Sequence, residues 1–114
     1  MTGPFEVREY TESGHSPFAE WFDGLDAVTA ERVDRYVRRL EGGNFGVAKP
    51  LRAGVFELRL DFGPDYRVYF GREGKTVIIL LGGGSKRRQD ADIAASLTRW
   101  KRYKGLKHGT DTTV

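Results

Sequence analysis

Cysteine is absent from the chain. That excludes disulfide frameworks, thiolate zinc sites and cysteine nucleophiles. Long apolar runs are absent too. The longest is "VIILL", Val77 to Leu81, against the roughly 20 residues a membrane-crossing helix needs. Histidine occurs only as His15, in a Ser/Gly loop, and His108, near the end, which argues against a paired-histidine ribonuclease site. Acidic residues do not cluster at metal-ligand spacing, which argues against a two-metal nuclease. "GGGSK" lacks the spacing of a Walker A loop; as a run of backbone N–H groups before a helix it suits one phosphate at most, and a flexible link is its simpler use. No cofactor is expected. "MTGPFEVREY" has no hydrophobic signal region, so a cytoplasmic location is expected.

What the chain does have is uneven charge. Its 114 residues carry a net charge of +3. Between Ser85 and Lys107, eight Lys and Arg stand against Asp90 and Asp92, so the remainder is net acidic. A basic segment on such a body suits a polyanion or an acidic protein partner, or simply a solvated helix surface.

Periodicity divides the chain into seven elements. "FEVREY", Phe5 to Tyr10, reads as a short strand. Ser16-Pro17 is a helix start, with serine at the cap and proline in the first turn. That helix directs Phe18, Trp21 and Phe22 inward and ends near Gly24. A second, from about Asp26, repeats Ala30, Val33, Val37 and Leu40 at helical spacing and ends at Gly42-Gly43. Its other side (Glu31, Arg32, Arg35, Arg38, Arg39) reads as solvated surface.

"GVFELRLDFGPDYRVYF", Gly54 to Phe70, alternates and reverses, as a hairpin does. Leu58, Leu60, Val68 and Phe70 share one face; Glu57, Arg59, Asp61, Arg67 and Tyr69 share the other. A three-residue Gly-Pro-Asp loop sets Leu60 opposite Val68, Leu58 opposite Phe70, Asp61 opposite Arg67 and Arg59 opposite Tyr69. Asp61 and Arg67 then suit a cross-strand ion pair on a solvated face. Arg59 beside Tyr69 suits phosphate clamping with base stacking, although Glu57 can also pair with Arg59.

"GREGK" turns the chain into "TVIILLG", apolar on both parities, which suggests a central strand covered on both sides over part of its length. "GGGSKRRQD" reads as a loop and Ile93, Leu97 and Trp100 as the stripe of a last helix, while residues 105–114 read as a disordered tail after a single domain over residues 1–104. The order β-α-α-β-β-β-α describes an α+β fold with a small antiparallel sheet packed with helices.

Three pieces, "LxxGxxELR", "YRVYF" and "GGxxKxxQxxDI", occur in order around the strand and closing helix. With them the stretch from Phe5 to Trp100 resembles the RelE/HigB toxins of type II toxin–antitoxin modules, in particular the addiction-module killer, phage-derived Gp49-like group. The resemblance implies a toxin that cuts messenger RNA on the ribosome without a metal. The ribose 2′-OH is the nucleophile, and a cyclic phosphate and a 5′-hydroxyl are left. By motif it assigns Arg59 and Arg67 to the scissile phosphate and Lys86 to phosphate or ribosomal RNA. It offers Tyr69 or Glu57 for proton transfer. Arg52, Arg87 and Arg88 are expected to contact nucleic acid, the latter two because with Lys86 they bring positive charge to one end of the sheet. Gln89 braces the last helix. The implied partner is a cognate, HigA-like antitoxin with a helix-turn-helix domain, in a hetero-oligomer. A ParE-like gyrase poison and a non-catalytic module binding RNA or antitoxin are the alternatives.

Overall fold

The computed structural model describes residues 3–46 and 48–112. Five strands form one sheet: β1 (Glu6–Glu9), β2 (Lys49–Pro50), β3 (Val55–Arg59), β4 (Arg67–Glu73) and β5 (Val77–Gly84), in the order β1-β5-β4-β3-β2. Three helices pack on it: α1 (Pro17–Asp23), α2 (Ala27–Glu41) and α3 (Gln89–Thr112). The α+β class and the element order agree with the sequence reading, with two-residue β2 added. The sheet is not wholly antiparallel, because β1 pairs with β5 in parallel, Glu6 beside Val77 through Glu9 beside Leu80.

The helix starts follow their caps. Ser16 accepts from the Ala19 amide at 3.0 Å and Asp26 from the Thr29 amide at 3.3 Å, each satisfying a backbone donor the helix leaves free. α1 and α2 cover one sheet face, burying Phe18, Val33, Val37 and Leu40 against Leu58, Leu60, Val68, Phe70, Ile78 and Leu80. α3 covers the other, with Trp100 buried against Val55, Tyr69, Ile79 and Leu81 and with Ile93 and Leu97 alongside. β5 thus contributes to both cores, as its two-sided apolar pattern predicts. α3 continues through Thr112, into the stretch read as tail; residues 113 and 114 lie outside the described residues.

The β3–β4 hairpin keeps the expected faces in a different register. Leu58 stands opposite Val68, Glu57 opposite Tyr69 and Arg59 opposite Arg67, two residues away from the pairing expected from a three-residue loop. The Leu60 amide closes a wider turn on the Tyr66 carbonyl at 2.8 Å. Within it Gly63 and Asp65 take positive φ. The Phe62 and Tyr66 rings lie 5.7 Å apart there, and Phe62 stacks on Tyr36 of α2. A slip of two leaves every side chain on its face, so alternation cannot detect it.

"GGG" is strand rather than loop. Gly82 to Gly84 end β5, a register shift lies beside Tyr69/Phe70, and Lys86–Arg88 form a single 3-10 turn before α3. These glycines serve close approach. Any Cβ on Gly83 would overlap the Trp21 ring of α1, one on Gly84 would overlap the Asp92 carboxylate, and one on Gly82 would meet Arg99 Nη1 at 2.8 Å.

Candidate functional site

Two rows of side chains cross the α3 face at the hairpin-loop end of the sheet. Register sets Lys49, Glu57, Tyr69 and Gly82 in one row and Arg59, Arg67 and Gly84 in the next. Because Gly82 and Gly84 carry no side chains, the first turns of α3 descend onto the rows. Gln89 Nε2 donates to Glu57 Oε2 at 2.8 Å. Arg67 Nε lies 3.4 Å from the same oxygen, in ion-pair rather than hydrogen-bond geometry, and Lys49 Nζ lies 3.7 Å from Oε1. Arg67 Nη1 also donates to the Asp65 carbonyl at 2.8 Å.

This face is therefore not the open charged surface that the sequence suggests. Glu57 is 2 %, Arg67 6 % and Tyr69 0 % exposed. The expected Asp61–Arg67 pair is not formed: Arg67 turns to Glu57, and Asp61 accepts the Tyr36 hydroxyl at 2.7 Å. The wider turn causes the exchange, since it moves Asp61 off the ladder and brings Arg59 opposite Arg67. Two like charges directly across strands repel; Glu57 offsets Arg67, and Asp65 sits 3.4 Å from Arg59.

Arg59 is exposed, as are Lys86, Arg87 and Arg88. The 3-10 turn meets the hairpin loop through the Lys86 amide and the Pro64 carbonyl at 3.3 Å, so these four cations rim the buried row. Arg52 is also exposed but precedes β3, at the opposite end of the strand from Arg59; it is not part of this cluster.

Burial raises the Tyr69 pKa above the ordinary phenol value, and the neighbouring Glu57 and Asp92 charges raise it further. Its hydroxyl is thus held in the protonated form at neutral pH. Asp92 is also raised, by burial, against the opposing pull of Arg88 and Arg99. Tyr69 Oη, Asp92 Oδ2 and Ser96 Oγ are buried without hydrogen-bond partners among the described residues. Sequence reasoning gave Asp92, Ser96 and Lys49 no role, and used Gln89 only as a helix brace. The available signal was the spacing 89, 92, 96 and 99, a polar stripe beside the apolar one of Ile93, Leu97 and Trp100. Chemically, the cluster offers a carboxylate that can take a proton, a phenol that can give one, and cations that can hold a phosphate. No group of three His, Asp or Glu suited to a metal ion occurs among the described residues.

Residues 20–104 match the family described as phage derived protein Gp49-like (DUF891). The match spans every residue of the cluster and most of the chain, and the chain belongs to this family. It is a family associated with the toxins of toxin–antitoxin systems, which implies an antitoxin partner. The chain is also similar to an uncharacterized protein of Haemophilus influenzae (strain ATCC 51907 / DSM 11121 / KW20 / Rd), 42% identical over 77 residues, which is 67% of this chain and 78% of the relative. Among the described residues, no helix is long and apolar enough to cross a membrane.

Proposed function

We propose that this chain is a RelE/HigB-like toxin that cuts messenger RNA on the ribosome. The observation supporting this most is the Glu57–Arg67–Tyr69 cluster beneath a rim of exposed cations, Arg59 and Lys86 foremost. Cleavage would proceed by transfer within the RNA. Glu57 takes the ribose 2′-OH proton, the 2′-oxygen attacks the adjacent phosphorus, and the bond to the 5′-oxygen breaks as Tyr69 protonates it. A cyclic phosphate and a 5′-hydroxyl result, and after the product leaves Glu57 gives its proton to water and Tyr69 regains one from water. Arg59 and Lys86 grip the phosphate from the rim, and Arg67 stabilises the charge that develops on it. Arg87 and Arg88 extend the cationic rim toward flanking RNA. The ribose reaches Glu57 when Gln89 releases its carboxylate. A HigA-like antitoxin would neutralise the toxin by covering this basic rim.

The burial of Glu57, Arg67 and Tyr69 favours a second reading, in which the cluster only holds α3 to the sheet and the protein binds RNA or antitoxin without cutting. Translating ribosomes separate the two. Purified protein should cut the message at ribosome-occupied positions, leaving 5′-hydroxyl ends. Arg59→Ala should slow the reaction by roughly a hundred- to a thousand-fold, the usual cost of losing one charge-stabilising contact. Binding without any cleavage would favour the second reading.

A further inference from the structure

A second basic surface lies on the opposite side of the sheet. Arg32, Arg35 and Arg39 project from α2 around Tyr36 and against Phe62 of the β3–β4 loop, lining a shallow cleft. The Arg32 guanidinium lies 4.5 Å above the Phe62 ring and that of Arg39 lies 4.6 Å above the Tyr36 ring. The two rings stack on each other at 6.2 Å and 26°. Arg35 is paired with Glu31 at 2.7 Å. Among the described residues, Arg32 and Arg39 form no ion pair. Asp61 accepts the Tyr36 hydroxyl at 2.7 Å, and that bond, with the charges of Arg32 and Arg39, holds its pKa below the ordinary aspartate value.

This arrangement is more than a solvated helix face. Guanidinium planes held on rings have already lost rotamer freedom, and both arginines stay exposed to solvent, where a base or a phosphate can reach them. The same loop that carries Phe62 and Asp61 carries Pro64, whose carbonyl meets the Lys86 amide. The tip itself carries Asp61 and Asp65 and no basic group, so a strand passing from α2 to Arg59 and Lys86 would cross the short loop between two separate basic surfaces.

We propose that the Arg32–Tyr36–Arg39–Phe62 surface is a docking site for single-stranded RNA, which guides the strand across the β3–β4 loop to the candidate site. As a role in guiding substrate it rests on the endoribonuclease reading; as RNA binding it can be tested separately. A long polyanion with unstacked bases fits it better than an acidic peptide. Arginine forks match phosphate bidentately, a strand can span both faces of the loop, and planar stacking suits bases.

The test is fluorescence anisotropy of the full chain with a labelled single-stranded RNA oligonucleotide of mixed sequence, over a series of salt concentrations and without ribosomes. Both arginines are exposed on a helix where alanine is favourable, so Arg32→Ala/Arg39→Ala should melt like the parent. It should bind RNA about tenfold more weakly, and the slope of log affinity against log salt should fall by about 1.4, as loss of two phosphate contacts to a single strand requires. Arg32→Lys/Arg39→Lys should restore the slope but only part of the affinity, because lysine keeps the charge and loses the stacked fork. The control Lys75→Ala/Lys101→Ala removes equal charge from exposed positions elsewhere and should change the slope much less. An unchanged slope in the arginine variant, or an equal loss in the control, overturns the proposal. So does retained RNA affinity with loss of binding to a purified acidic antitoxin, which would assign the surface to a protein. Because cleavage is not the readout, a failed nuclease assay would leave this outcome distinct.

Discussion

Glu57 receives side chains from three different elements, Arg67 of β4, Gln89 of α3 and Lys49 of β2, while only 2 % of its own surface is exposed. A buried ion pair adds little net stability, but removing one partner strands the other charge and typically costs about 3–5 kcal/mol. Arg67→Ala should therefore destabilise the protein by about that amount in urea unfolding, and its loss of activity alone would not identify a catalytic group. Arg59 is the cleaner test. It is exposed and 3.4 Å from Asp65, so Arg59→Ala should change stability by no more than about 0.5 kcal/mol. Asp92 gives a pH-dependent prediction. Its folded pKa is raised by burial, so the folded state binds more protons than the unfolded state, and stability falls as pH rises from the ordinary aspartate value through the raised one. Asp92→Asn should raise the melting temperature at neutral pH, and the gain should vanish in acid below the ordinary aspartate range. Motif and parity brought Glu57, Arg59, Arg67 and Tyr69 to one face. They could not reveal burial, because α3's descent depends on glycines whose meaning is clear only when the helix lies on them.

At the scale of elements, α3 seats its Trp100 ring against two glycines, Gly54 and Gly71. A Cβ on Gly71 would meet Trp100 Cε3 and Cζ3 at 2.5 Å, and Trp100 is buried in the core beneath α3. Gly71→Ala should displace the indole and cost about 1–3 kcal/mol, as overpacking does, with a shift in tryptophan emission. The effect should reach the candidate site, because Gln89 and Asp92 ride on the same helix. The sequence readily showed α1 and α2, where Ser16, Asp26 and the spacing of Val33, Val37 and Leu40 each specify a helix. It showed the hairpin but not its register. Gly63-Pro64-Asp65 looks like a complete loop, and only the contacts of Phe62 and Asp61 with Tyr36 of α2 show why the turn opens wider. "GGG" misled for a similar reason. Glycine suits a loop and a closely packed strand equally, and the deciding contacts, Trp21 on one side and Asp92 on the other, come from distant parts of the chain.

On the scale of the whole molecule, one sheet is sandwiched between two unlike layers. α1 and α2 form a hydrophobic cover on one side, and α3 forms a half-apolar, half-polar one on the other. The two-sided apolar pattern of β5 announced this sandwich. The parallel docking of β1 was not legible, because Glu6–Glu9 is short, mostly exposed and linked to β5 through no local turn. Membership of the Gp49-like family places the molecule among toxin–antitoxin toxins. The central claim beyond that is that the polar half beneath α3 cuts translated RNA. The direct measurement is transcriptome-wide mapping of RNA 5′ ends after brief induction of the parent chain or Arg59→Ala. The parent should create new 5′-hydroxyl ends within translated coding sequences and not in untranslated RNA, and Arg59→Ala should remove them. Growth arrest without new ends, or the same ends in Arg59→Ala at equal protein level, would contradict the assignment.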